Sequence, residues 1–260
     1  MRCNLPRAAL RQVVRTLTAL ALITSVSAVR VHAQMPGMPE HKEMMAWGNT
    51  LFIFFEQLEY SPDGADRPAS MDARMWYGGA YRRVWLRAEG ERSTAGEDRE
   101  ASGEVQLLYG RLVDPFWDAV VGLRGDRQWA DGNSRGRVLL AVGLLGLAPY
   151  RFELEPALFI GPKGDLSARL GAAFPLLITQ RLVVEPRIEF DAAMQAAPRY
   201  GVRRGIGEYE LGIRLRYEFK REFAPYVGWI RARERDPTDD LTSGRSSAEN
   251  QLVFGLRAWR

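Results

Sequence analysis

From Val138 to Phe219 the chain repeats one pattern: an apolar residue at every second position, with charged residues between. Phe152, Leu154, Pro156, Leu158 and Ile160 form one run, and Leu166, Ala168, Leu170, Ala172 and Phe174 a second. Leu182, Val184, Pro186, Ile188 and Phe190 form a third, and Tyr209, Leu211, Ile213, Leu215, Tyr217 and Phe219 a fourth. Interleaved with them stand Glu153 and Glu155, then Arg169, then Glu185, Arg187, Glu189 and Asp191, then Glu210, Arg214, Arg216 and Glu218. A period of two is the strand period, so each strand carries an apolar face and a charged face. Strands of soluble proteins run to about 5–6 residues, whereas a bilayer core requires about 9–11 tilted residues, the length of these runs. The expected fold is therefore all-β: a transmembrane antiparallel up-and-down barrel of outer-membrane type, apolar toward lipid and charged toward the lumen. The alternative, a soluble sandwich or lipocalin-like barrel, would turn the apolar face inward.

The first 33 residues read as a secretory signal. Arg2, Arg7, Arg11 and Arg15 precede an apolar run from Leu17 to Val29, no acidic residue occurs, and Val31-His32-Ala33 offers small residues where signal peptidase reads. Cleavage after Ala33 leaves 227 of the 260 residues and removes Cys3, the single cysteine, so disulfides and thiolate metal sites are excluded from the mature chain. It also removes five arginines, which leaves 31 basic residues against 32 acidic ones; the net charge of +4 belongs to the signal and does not point to nucleic acid. No later stretch is long and apolar enough for a membrane helix. Residues 34–48 form a leader, in which Pro36, Gly37 and Pro39 oppose a regular helix. Residues 49–260 form the barrel.

About 12 strands are expected, near 49–60, 71–79, 82–92, 101–113, 116–126, 136–147, 150–161, 164–176, 181–193, 208–219, 223–233 and 250–260. Tight turns such as Asp114-Pro115 and Ala148-Pro149 alternate with longer polar loops, among them 61–69, 93–100, 127–135, 194–207 and 234–249. Short periplasmic turns opposite longer outer loops are the asymmetry of these barrels, and an even strand number returns both ends to the periplasmic side. Aromatics near strand ends, including Trp76, Tyr77, Trp85, Phe116, Tyr217, Phe219, Tyr226 and Trp229, suit the two interfacial girdles. Trp259 falls one position out of the lipid-facing phase.

The runs WYGGAYRRVWLRAEGE (76–91), LLYGRLVDPFWDAVVGLRGD (107–126), GLLGLAPYRFELEPALFIGPKGDLSARL (143–170), ITQRLVVEPRIEF (178–190) and YELGIRLRYEFKREFAPYVG (209–228) resemble the copper resistance protein B family. The resemblance covers about 70–260. It implies an outer-membrane barrel of a copper tolerance system, preceded by a Met- and His-rich segment that binds copper.

The leader carries such residues. Met35, Met38, His41 and Met44 are spaced three apart, with Met45 adjacent. Thioethers are soft ligands that select Cu(I), and imidazole suits copper in either oxidation state. Pro36 and Pro39 favour polyproline II, whose three-residue turn aligns these side chains along one edge. Such a site lacks preorganisation, so Cu(I) or Cu(II) would be weakly held. Of the seven methionines after residue 33, four lie within residues 35–45, beside the one remaining histidine. Met71 and Met75 fall in phase with lipid-facing residues, and Met194 opens an outer loop.

The lumen carboxylates Glu89, Glu153, Glu155, Glu185, Glu189, Asp191, Glu210 and Glu218 form a second candidate set. They either line a cation path or, since charges of both signs face inward, join arginines in an ion-pair network that fills the barrel. The expected function is an outer-membrane protein of copper tolerance that binds copper through its leader and sequesters or passes it. A small passive or structural barrel without a metal role is the alternative. A hydrolase is disfavoured, since His41 is the one histidine outside the signal and no Gly-x-Ser-x-Gly elbow occurs. Expected partners are outer-membrane lipid and periplasmic copper-handling proteins.

Overall fold

A computed structural model describes residues 49–62, 69–92, 101–130, 133–197, 202, 204–234 and 248–260. The signal (1–33) and leader (34–48) segments lie outside these residues. The strands are β1 (Thr50–Tyr60), β2 (Ala69–Gly78), β3 (Arg82–Arg92), β4 (Ala101–Asp114), β5 (Trp117–Ala130), β6 (Asn133–Ala148), β7 (Phe152–Ile160), β8 (Leu166–Ala173), the two-residue β9 (Leu176–Leu177), β10 (Leu182–Ala193), β11 (Gly205–Tyr217), β12 (Phe223–Glu234) and β13 (Ala248–Trp259). Each long strand pairs antiparallel with its sequence neighbours, and β13 returns to pair with β1, with Phe54 opposite Trp259 and Tyr60 opposite Phe254. The sheet closes into a twelve-strand barrel without a free edge, as a bilayer demands. The strand ends that carry Thr50 and Trp259 are also joined by the short turns at 79–81, 115–116, 149–151 and 218–222. By the loop asymmetry of such barrels, this end is periplasmic.

The alternation sorts the side chains as expected. Leu107, Val121, Leu123, Leu140, Val142, Leu158, Ile188, Ile213, Leu215 and Phe254 are exposed on the outer wall, where lipid covers them. Glu104, Gln106, Arg124, Glu185, Arg214 and Arg216 are buried on the inner wall. Tyr77, Phe116, Tyr217, Phe219 and Trp229 are exposed near strand ends, in keeping with the girdles.

Several features depart from the expected pattern. Trp76, Trp85, Tyr226 and Trp259 belong to the inner wall. Cross-strand pairing puts Phe52 opposite Trp76, Trp76 opposite Trp85, and Trp85 opposite the buried Leu108, and directly opposed residues share a face. Phe52 lies 5.9 Å from Trp76 and 5.7 Å from Trp259 between ring centroids, which explains the phase of the last strand. Trp85 packs on a lumenal apolar cluster of Leu108, Val120, Leu139, Ala141 and Phe159. On β1 to β3 the inner wall is thus largely aromatic toward the periplasmic end, with most of its charge above.

In β1 the register slips around Glu56, so that Phe55 faces Ala73 while Gln57 faces Asp72. This bulge inserts one residue and re-aims the chain. Strands β5 and β6 run on to Ala130 and from Asn133, so the outer loop expected at 127–135 is replaced by paired strand. The strand expected over 164–176 breaks after Ala173. Pro175 has no N–H for the ladder, and pairing with β10 resumes at Leu176 in the same register.

Candidate functional site in the barrel lumen

The inward positions of twelve strands converge on one interior, and every charge there must find a partner, because an unpaired ion out of water costs several kcal/mol. Arg74 on β2 meets Glu56 at 2.6 Å, Asp72 at 3.5 Å and, across the lumen, Glu155 on β7. Arg187 on β10 reaches the same Glu56 at 2.9 Å and Asp72 at 3.6 Å. Arg87 on β3 joins Glu155 at 2.9 Å and Glu89 at 3.5 Å.

A second group centres on Arg169 of β8. Its guanidinium lies 2.9 Å from Glu89, 3.1 Å from Glu104, 3.1 Å from Asp191 and 3.2 Å from Glu189. Glu104 also takes Arg124 at 2.7 Å, and Gln106 donates to it. Arg124 and Arg137 both grip Asp126, at 2.6 and 2.7 Å. The Arg124 guanidinium stacks over the Phe159 ring at 4.3 Å, so the apolar cluster and the ionic lattice are joined.

Two further groups lie on β11. Arg214 donates to Glu59 at 2.7 Å and contacts Glu210 at 3.3 Å, while the Tyr226 hydroxyl donates to the same Glu59 oxygen at 2.9 Å. Glycines make the room: a Cβ at Gly255 would stand 2.3 Å from the Tyr226 ring, and one at Gly228 would stand 2.9 Å from Arg214 Cγ. Arg216 meets Glu185 at 2.6 Å and Glu218 at 3.6 Å, with Arg257 3.7 Å from Glu185. At the periplasmic end Arg83 pairs with Asp118 at 2.6 Å.

Strands β2 and β7, β3 and β7, and β4 and β8 stand far apart around the ring, yet Arg74–Glu155, Arg87–Glu155 and Arg169–Glu104 join them. The lattice crosses the lumen from wall to wall. Of the carboxylates named from sequence, Glu89, Glu155, Glu185, Glu189, Asp191, Glu210 and Glu218 each hold an arginine. Glu153 faces the same interior half-buried, without an ion pair to a described residue. Of the two readings of these residues, the geometry is that of the ion-pair network rather than a free carboxylate path.

Glu56, Glu59, Asp72, Arg74, Glu104, Tyr226 and Arg257 are lattice members that the alternation in 138–219 did not single out. For Glu56 and Glu59 the bulge breaks the phase. For Asp72 and Arg74 the flanking Met71, Ala73 and Met75 were the legible signal, and the opposite face of that same run carries the charges.

The soft donors Met35, Met38, His41, Met44 and Met45 lie outside the described residues. Met71 is exposed on the outer wall, Met75 shares that face opposite Ile53, and Met194 is exposed just beyond β10. Among the described residues no three His, Cys, Asp or Glu side chains group so as to hold a metal ion.

Residues 49–260, the whole barrel, match the family described as copper resistance protein B precursor (CopB). The chain belongs to the copper resistance protein B family. It is 39% identical to the copper resistance protein B of Escherichia coli over 209 residues, covering 80% of this chain and 68% of that one. It is 33% identical to a copper resistance protein B homolog of Pseudomonas syringae pv. tomato over 250 residues, covering 93% of this chain and 79% of that one. Among solved structures it resembles the NanC porin (TM-score 0.45, 13% identity, 80% of this chain and 99% of that one) and the KdgM porin (TM-score 0.44, 10% identity, 80% and 98%). Membership in the copper resistance protein B family assigns the chain a role in copper resistance, and the family and the barrel together place it in the outer membrane.

Proposed function

We propose that this copper resistance protein B family member holds copper at the periplasmic face of the outer membrane, through Met35, Met38, His41, Met44 and Met45, and that the barrel is its anchor. The observation that carries this reading is the gathering of four thioethers and one imidazole into residues 35–45, immediately before β1, in a chain of this family. β1 starts at the short-turn end of the barrel, so a leader preceding it emerges on the periplasmic side, where export and removal of residues 1–33 would leave it. The chemistry of the lumen supports the same division of labour. Its carboxylates are hard donors already engaged by guanidinium groups, a poor environment for a soft cation. Sequestration therefore fits the geometry better than passage through the barrel, since a cation entering the lumen would have to displace arginines from both walls. The role is binding rather than catalysis, and exchange with periplasmic copper-handling proteins suits ligands that hold the ion weakly.

Counting copper bound by the mature protein, with and without residues 35–45, tests the reading with Cu(I) and Cu(II) in turn. Binding that disappears on deletion is the expected result. Binding that survives it would move the site to the lumen and Met194, and none in either protein would leave a barrel without a direct metal role.

A further inference from the structure

The inner and outer walls treat arginine differently. On β3, Arg83 turns inward and finds Asp118 at 2.6 Å, and the lattice arginines above it are likewise matched to carboxylates. The neighbouring Arg82 turns outward. Cross-strand register places it directly opposite Arg111 of β4, and both side chains are exposed. Directly opposed side chains on one sheet face have Cβ atoms about 5 Å apart, and like charges in that relation destabilise the pair. Neither guanidinium has a partner among the described residues.

The pair's height on the wall supplies the second constraint. The next outward row toward the bilayer centre is Val84 opposite Tyr109, then Leu86 opposite Leu107, all facing lipid, with Tyr77 beside Val84. Beyond the pair toward the turn, Val113 and the girdle residue Phe116 are the exposed apolar residues of the β4–β5 hairpin, so Arg82 and Arg111 sit near the lower border of the apolar belt, level with the headgroups of the periplasmic leaflet. Two forked donors at that depth, facing lipid and repelling each other, call for a shared anion. A phosphate diester accepts from two guanidiniums in fork geometry.

We infer that Arg82 and Arg111 form a binding site for the phosphate of an anionic phospholipid in the periplasmic leaflet, with the acyl chains lying against Val84, Tyr109 and Leu107. The ligand chemistry, a phosphate between two arginines, is shared with free inorganic phosphate. The acyl contacts are what a lipid would add.

Native mass spectrometry of the full protein in detergent tests this with phosphatidylglycerol and phosphatidylcholine offered in equal amounts. The native chain is expected to retain phosphatidylglycerol over phosphatidylcholine by at least about tenfold, and R82A/R111A to lose that preference. R82K/R111K keeps the charge without the fork and should retain part of it. Heat-modifiable migration on a gel shows that each variant is folded, so lost retention cannot be confused with a lost barrel. Displacement of phosphatidylglycerol by millimolar inorganic phosphate would identify a phosphate site without lipid selectivity and would overturn the lipid assignment. Equal retention of both lipids by the native chain, or an unchanged preference in R82A/R111A, would overturn the inference.

Discussion

At the scale of single residues, the barrel interior is governed by the rule that removing half of a buried ion pair costs more than removing all of it. Glu59 and Arg214 are both buried, and Tyr226 donates to Glu59 as well. Replacing Arg214 with Met leaves the Glu59 carboxylate with the Tyr226 and Ser70 hydroxyls in place of a cation. R214M should destabilise the barrel by about 3–5 kcal/mol, whereas the matched change E59L/R214M/Y226F, which removes both buried charges and leaves only the more exposed Glu210 without its arginine, should recover most of that loss. Urea unfolding in lipid vesicles measures both, and equal losses in the two variants would contradict the pairing. Strain is also visible at this scale. Tyr150 and Arg151, in the turn between β6 and β7, both adopt left-handed conformations, with φ of 67° and 68°. Residues with a Cβ enter that region at a cost of about 1–2 kcal/mol each.

At the scale of strands, the two walls should tolerate charge differently. Leu123 lies mid-strand on the outer wall of β5, flanked by Leu107 and Leu140, whereas Tyr77 ends β2 at the periplasmic border. L123R should cost about 2–4 kcal/mol and Y77R about 0–1 kcal/mol, a depth dependence that vesicle unfolding resolves. Lumenal burial of these positions would give no such gradient. The strands were also the most legible part of the sequence. The alternation in Phe152–Ile160, Leu182–Phe190 and Tyr209–Phe219 announced both the period and the polarity of the walls, because lipid on one side imposes a strict two-residue rule. Legibility failed where something other than the period sets the face or the end of a strand. The bulge at Glu56 shifts the phase within β1, Pro175 interrupts β8, and the inward row Phe52, Trp76, Trp85 and Leu108 is apolar on the supposedly polar side. Partners were not legible at all. Arg74 and Glu155 lie 81 residues apart, and only closure of the ring brings them together.

At the scale of the whole molecule, the copper resistance protein B fold divides its donor chemistry. Carboxylates and guanidiniums pair across the lumen from wall to wall, while thioethers and an imidazole are concentrated in residues 35–45. The lattice occupies the lumen with paired charges, and under the proposed function the copper-binding part of the role falls to the segment with soft ligands. Family membership and the outer-membrane barrel establish the setting; the identity of the copper ligands is the claim that stands to be tested. Copper K-edge X-ray absorption on the Cu(I)-loaded mature protein reads those ligands directly. The account predicts sulfur scatterers in the first shell, with a nitrogen contribution from His41. A first shell of oxygen alone would contradict it and return the ion to the lumen carboxylates.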